Sequence, residues 1–150
     1  MPYQRILVPV DGSEPSTKAL VAALQLARDG GGRVRLLHCV DELSYALMAR
    51  EASGNISALL RTEGERILAQ AADIATSAGV QAETRLVERT AQRLGESVAG
   101  EAAEWNADLV VVGTHGRRGL ERMLLGSGAD QIVRLAPTPV LVVRGGEWRH

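Results

Sequence analysis

Short, nearly unbroken apolar runs, rich in β-branched residues and separated by segments of helical period, constrain this chain more than any other feature. They read RILVPV at 5–10, RVRLLHCV at 33–40, LVVVG at 109–113 and PVLVV at 139–143, and a weaker, alternating run covers 81–87. A strand with one wet face alternates polar and apolar residues, whereas an unbroken apolar run needs cover on both faces, as in a parallel sheet. The intervening segments supply that cover. Residues 17–28 set Leu20, Ala23, Leu24 and Ala27 on one face before Gly30, Gly31 and Gly32 stop the helix. Residues 56–78 carry Leu60, Ile67, Leu68, Ala71, Ala75 and Ala78 on one stripe, with Gly79 as the stop. Residues 91–105 carry Leu94, Val98, Ala102 and Trp105 and end at Asn106, and residues 130–136 carry Ile132, Val133 and Leu135 before Pro137. Strand and helix alternate throughout, which predicts one α/β domain: a doubly wound, mostly parallel five-stranded sheet with helices on both faces. Residues 41–55 show no period and are expected to form a flap or a short extra helix.

Length and composition agree with a single soluble domain. A chain of 150 residues buries roughly 70% of its unfolded surface, enough for a core without staples. With 45% hydrophobic and 23% charged residues, the chain is neither disordered nor collagenous. The net charge of −1 provides no global field for nucleic acid or an anionic membrane. A single cysteine, Cys39, can form neither an internal disulfide nor a cysteine metal cage, and on an apolar strand it reads as core. No apolar run reaches the ~18 residues of a membrane span, and no charged leader precedes the first strand, so the expected address is the cytoplasm. Of the 17 basic residues only Lys18 is a lysine, a bias that reads first as genome composition.

In open parallel sheets, ligands bind outside the carboxyl ends of the strands. The residues to inspect are therefore 9–13, 40–42, 88–90, 113–119 and Arg144. Among them, the stretch from Gly113 to Asp130 holds most information: Gly113 and Gly116, nine further residues, then Gly126, Ser127 and Gly128. Glycines lower helix stability by about 1 kcal/mol each, so a helix is expected to begin at this second cluster, with Ser127 as N-cap and Asp130 completing a capping box. A helix N-terminus offers free N–H groups and a positive dipole end, which suits phosphate. Arg117, Arg118 and Arg122 against Glu121 make the loop locally cationic. The plainer alternative is a glycine-rich turn leading into a capped helix. Rival motifs fail: there is no Gly-Lys pair for a Walker A loop, Gln131 stands where a dinucleotide fingerprint needs glycine, and Leu125 stands where a nucleophile elbow needs one.

The spacing resembles the ATP-binding signature of the universal stress protein family, G-x2-G-x9-G-[ST], and matches it at Gly113, Gly116, Gly126 and Ser127. RILVPVDGSEPSTKAL resembles that family's first strand and helix, and PTPVLVVR its last strand, so the resemblance covers nearly the whole chain. It implies a Rossmann-like sheet of strand order 3-2-1-4-5 and an ATP-binding member, because a second branch of the family lacks this loop. By the same resemblance, Pro9, Val10 and Asp11 would touch adenosine, with Asp11 bonding nucleotide or supporting Mg²⁺. Val40 would flank adenine and Val112 would back the site. Gly113, Gly116, Arg117, Gly126, Ser127 and Gly128 would surround the phosphates, with Arg117 and Ser127 on their oxygens.

The remaining residues favour binding over turnover. Asp11 is the one carboxylate near the expected site, and on its own it reads equally well as an Asp-Gly turn into a helix capped by Ser13 or Ser16. His38, His115 and His150 are scattered and lack the spacing of a metal site; Asn55-Ile56-Ser57 is a sequon without a secretion signal. A phosphoryl-accepting receiver domain shares the architecture, but the positions that would need its carboxylates and lysine hold Asp11 alone, then Glu88-Arg89, then Arg144. The apolar strand at 140–143 is expected at a sheet edge, and a two-fold dimer is the simplest way to cover it. The expectation is thus a cytoplasmic, homodimeric, ATP-binding stress-response regulator. The alternatives are a slow Mg²⁺-dependent ATPase or phosphotransferase using Asp11 and Arg117, and a structural dimer that binds no nucleotide.

Overall fold

The computed structural model describes residues 3–40, 46, 55–89, 91–114 and 125–144. Among these residues nine elements follow in order: β1 (Arg5–Pro9), α1 (Glu14–Gly30), β2 (Arg33–Val40), α2 (Ile56–Ser77), β3 (Ala82–Glu88), α3 (Leu94–Trp105), β4 (Leu109–Gly113), α4 (Ser127–Leu135) and β5 (Val140–Val143). The strands form one sheet of order β3-β2-β1-β4-β5, and every neighbouring pair is parallel. The doubly wound α/β architecture and strand order are those expected from the sequence. The segment expected as a flap or extra helix lies outside the described residues except for Ala46 and Asn55.

Burial tracks position in the sheet. Ile6, Leu7 and Val8 on β1 and all five residues of β4 are buried, as central parallel strands require. On edge strand β5 every residue is only half-buried or exposed. Successive side chains point to opposite faces, so each strand feeds two cores. Ile6, Val8, Val34, Leu36 and Val111 pack beneath α1 and α2 with Leu20, Leu24, Ile67 and Ala71. Leu7, Leu37, Val110 and Val112 pack on the opposite face with Val98, Ala102, Trp105 and Ile132 of α3 and α4.

That second face also buries charge. Glu101 lies on the apolar stripe of α3, three residues after Val98 and four before Trp105, and is 1% exposed. A carboxylate there needs partners, and three arginines supply them, from β2, β3 and the residue after β3. Arg85 Nε donates to Glu101 Oε1 at 3.0 Å, Arg89 Nη2 donates to Oε2 at 3.1 Å, and Arg35 Nη1 stands 4.0 Å from Oε1. The bond to Glu101 holds the Arg85 guanidinium above its usual pKa. Arg5 and Arg35 lie over the Trp105 ring at 4.5 and 4.9 Å, so the same patch combines ion pairs with cation–π contacts. Here the arginine bias of the sequence has a local structural use.

Candidate nucleotide-binding site

Chain order and strand order part company between β1 and β4. From β1 the chain crosses by α1 to β2 on one side, and from β3 it returns by α3 to β4 on the other. β1 and β4 are neighbours, with Ile6 beside Leu109 and Leu7 beside Val110. The crevice above their carboxyl ends is the switch point of the sheet. It receives Pro9, Val10 and Asp11 from β1, Val112 and Gly113 from β4, and the N-termini of α1 and α4.

The two helix starts differ in what they leave for a ligand. At α1, Ser13 is the N-cap and its Oγ accepts from the Ser16 N–H at 3.3 Å. Asp11 Oδ1 accepts from the Ser13 N–H at 2.9 Å and from its hydroxyl at 2.6 Å, while Ser16 Oγ accepts from the Asp11 N–H at 3.1 Å. Pro15 has no N–H, and Glu14 puts a carboxylate in the first turn. Gly12 turns the chain at φ 84°, in the left-handed region that favours glycine. The Asp-Gly turn into a capped helix is therefore present, and Asp11 Oδ1 is committed to it.

At α4 the N-cap is Gly126, with no side-chain cap bond, and Ser127 is the first helical residue. This corrects the expectation that Ser127 caps the helix with Asp130 closing a capping box. Gly126 adopts φ −64° and ψ 159°, the extended conformation of an N-cap, and Asp130 pairs instead with Arg134 at 2.9 Å. Among the described residues, the N–H groups of Ser127, Gly128 and Ala129 find no partner, as first-turn donors lack one unless a cap supplies it. Ser127 is exposed, Gly128 half-buried and Gly126 buried. The base of the preceding loop is closed by one bond, from the Gly126 N–H to the Thr114 carbonyl at 2.7 Å, and the Thr114 N–H reaches Val143 O at 2.9 Å. Gly116 and Arg117, with the rest of 115–124, lie outside the described residues.

Two glycines of the signature are explained by packing. A Cβ on Gly113 would lie 2.7 Å from the Pro15 carbonyl oxygen and 3.0 Å from its Cβ, so the first turn of α1 occupies the space that a side chain would need. A Cβ on Gly128 would meet only the flexible Leu94 Cδ2, at 2.8 Å. Val112 and Val40 are both buried, Val112 in the core beneath α3 and α4, and the Val40 carbonyl accepts from the Arg89 N–H at 3.1 Å. Sequence reasoning missed His38, whose Nδ1 bonds the Val10 carbonyl at 2.8 Å. Its one signal was a polar ring inside an apolar run. Among the described residues, no group of three or more His, Cys, Asp or Glu could hold a metal ion. A single carboxylate beside a phosphate-bearing ligand still fits Mg²⁺, which is commonly held by one or two carboxylates plus substrate phosphates.

Known proteins match this chain along nearly its full length. The model of the universal stress protein family covers residues 2–144. A universal stress protein of Methanocaldococcus jannaschii is 35% identical over 143 residues, spanning 95% of this chain and 82% of that one. One from Bacillus subtilis is 32% identical over 150 residues, spanning 95% and 99%. A solved universal stress protein in complex with cAMP shares 27% identity and a TM-score of 0.68, covering 97% of this chain and 100% of the other. The chain belongs to the universal stress protein family.

Proposed function

We propose that this chain binds ATP with Mg²⁺ in the crevice between β1 and β4, and that it acts as a nucleotide-dependent regulator in the stress response rather than as a fast enzyme. The observation that carries this reading is the open start of α4. It presents uncapped N–H donors at the switch point, whereas α1 beside it is capped by its own side chains. A helix N-terminus of this kind favours anions through its donors and its dipole. The intact glycine signature and the cAMP complex of a related protein support an adenine nucleotide as the anion's carrier. In this reading Pro9, Val10 and Asp11 meet adenosine, Val40 flanks adenine, and Val112 backs the site. Gly113 and Gly116 shape the loop, while Arg117, Gly126, Ser127 and Gly128 hold the phosphates. Asp11 is the residue placed to support Mg²⁺, which would offset phosphate charge.

The protein is further proposed to be a cytoplasmic homodimer joined along β5. Leu141 is 39% exposed on that edge strand, and Val133 and Leu135 of α4 are exposed as well. No helix among the described residues is long and apolar enough to cross a membrane.

The test is titration calorimetry of Mg-ATP into nucleotide-stripped protein, beside Gly126→Asp. Aspartate is a favoured N-cap, so its carboxylate would cap the α4 donors while the helix stays formed. Wild-type binding that is lost in a folded variant supports the site, and ADP release should stay below ~1 s⁻¹, the low end for enzymes. A wild type that gives neither heat nor a thermal shift refutes the reading.

A further inference from the structure

Beyond Pro9, the last residue of β1 and the ladder partner of Leu37, one more residue precedes the site turn. That residue, Val10, is held at both ends by β2. Its N–H donates to the Leu37 carbonyl at 2.7 Å, and its carbonyl bonds His38 Nδ1 at 2.8 Å. A carbonyl cannot donate, so Nδ1 carries the proton, and the ring stands in for a backbone donor at the point where β1 leaves the sheet. The far edge of the ring is equally constrained. A Cβ on Gly64, in the interior of α2, would lie 2.7 Å from His38 Cδ2 and 3.2 Å from Nε2, and 2.7 Å from Leu86 Cδ1. Glycine is a poorer helix former than alanine, and at Gly64 it gives room for this ring. The next residue after Val10 is Asp11, whose N–H and carboxylate organise the turn with Ser13 and Ser16.

We propose that His38 is a positioning residue for the nucleotide site: its Nδ1–H fixes the carbonyl of Val10, and with it the direction in which Asp11 and the turn to α1 leave the sheet. The link to nucleotide rests on the ATP-binding reading above; the link to the turn does not. Asparagine carries an amide nitrogen at nearly the place of Nδ1, whereas leucine fills similar space without a donor. The pair His38→Asn and His38→Leu therefore separates the hydrogen bond from the packing.

Amide hydrogen exchange on the ligand-free protein comes first. His38→Leu should speed exchange at Asp11 and Ser13 by about tenfold relative to amides of β4, in keeping with loss of one hydrogen bond, and His38→Asn should return it to within two- to threefold of wild type. Mg-ATP affinity should follow the same order. Equal exchange in Leu and Asn variants, whether both fast or both unchanged, overturns the proposal, because packing alone or nothing at all would then set the turn. A wild type that binds no nucleotide but shows the exchange pattern removes the ATP reading and leaves His38 as the residue that sets the turn.

Discussion

Replacing Glu101 by alanine tests whether the buried charge cluster supports the fold. The substitution removes the carboxylate shared by Arg35, Arg85 and Arg89. Arg35 keeps Glu83 at 3.3 Å and Arg89 keeps Glu104 at 3.9 Å, while Arg85 loses its one ion pair among the described residues. Removing one partner of a fully buried pair costs about 3–5 kcal/mol, since the other charge is left without compensation. These arginines are 20%, 48% and 33% exposed, in the order 35, 85, 89, so water recovers part of that loss. The expected destabilisation is about 2–3 kcal/mol, a large share of the 5–15 kcal/mol typical of a domain. Arg85→Ala, which removes the most exposed partner, should lose only about 0.5–1 kcal/mol. Urea unfolding followed by circular dichroism measures both, with an unchanged slope showing that the same surface is exposed. An alanine variant within about 0.5 kcal/mol of wild type, the range of an indifferent surface substitution, would refute the argument that Glu101 is held by desolvated pairs.

Two further outcomes follow from the geometry. Gly113→Ala drives a methyl group into the Pro15 backbone and should lower stability by about 1–3 kcal/mol, whereas Gly128→Ala displaces only the flexible end of Leu94 and should be nearly neutral; thermal melts of the two variants decide it. Leu141→Arg places a charge on the exposed β5 edge and should convert a dimer to monomers, read by light scattering after size exclusion, and a wild type already monomeric refutes the dimer.

How far these features could be read from sequence depended on how local their causes are. Residues 5–10 and 109–113 announce buried parallel strands because burial on both faces leaves an unbroken apolar run. The start of α4 was legible to within one residue. Ser127 has the side chain preferred at an N-cap, yet the extended backbone belongs to Gly126, and a composition pattern does not tell those positions apart. Other features depend on partners distant in the chain. Glu101 sits on an apolar helical stripe, and its partners come together only when β2 and the end of β3 deliver Arg35, Arg85 and Arg89. His38 reads as an isolated ring until Val10, from a neighbouring strand, stands opposite. The contact of Gly113 with Pro15 exists only once the fold sets α1 against the end of β4.

The bond from the Gly126 N–H to the Thr114 carbonyl makes the segment between them a ring with a fixed clasp. The clasp itself, from Gly126 to Thr114 and from Thr114 to Val143, ties the start of α4 to the ends of β4 and β5. Under the proposed ATP-binding function, the residues around the phosphates can vary while the α4 donors proposed to meet them stay in register with the sheet.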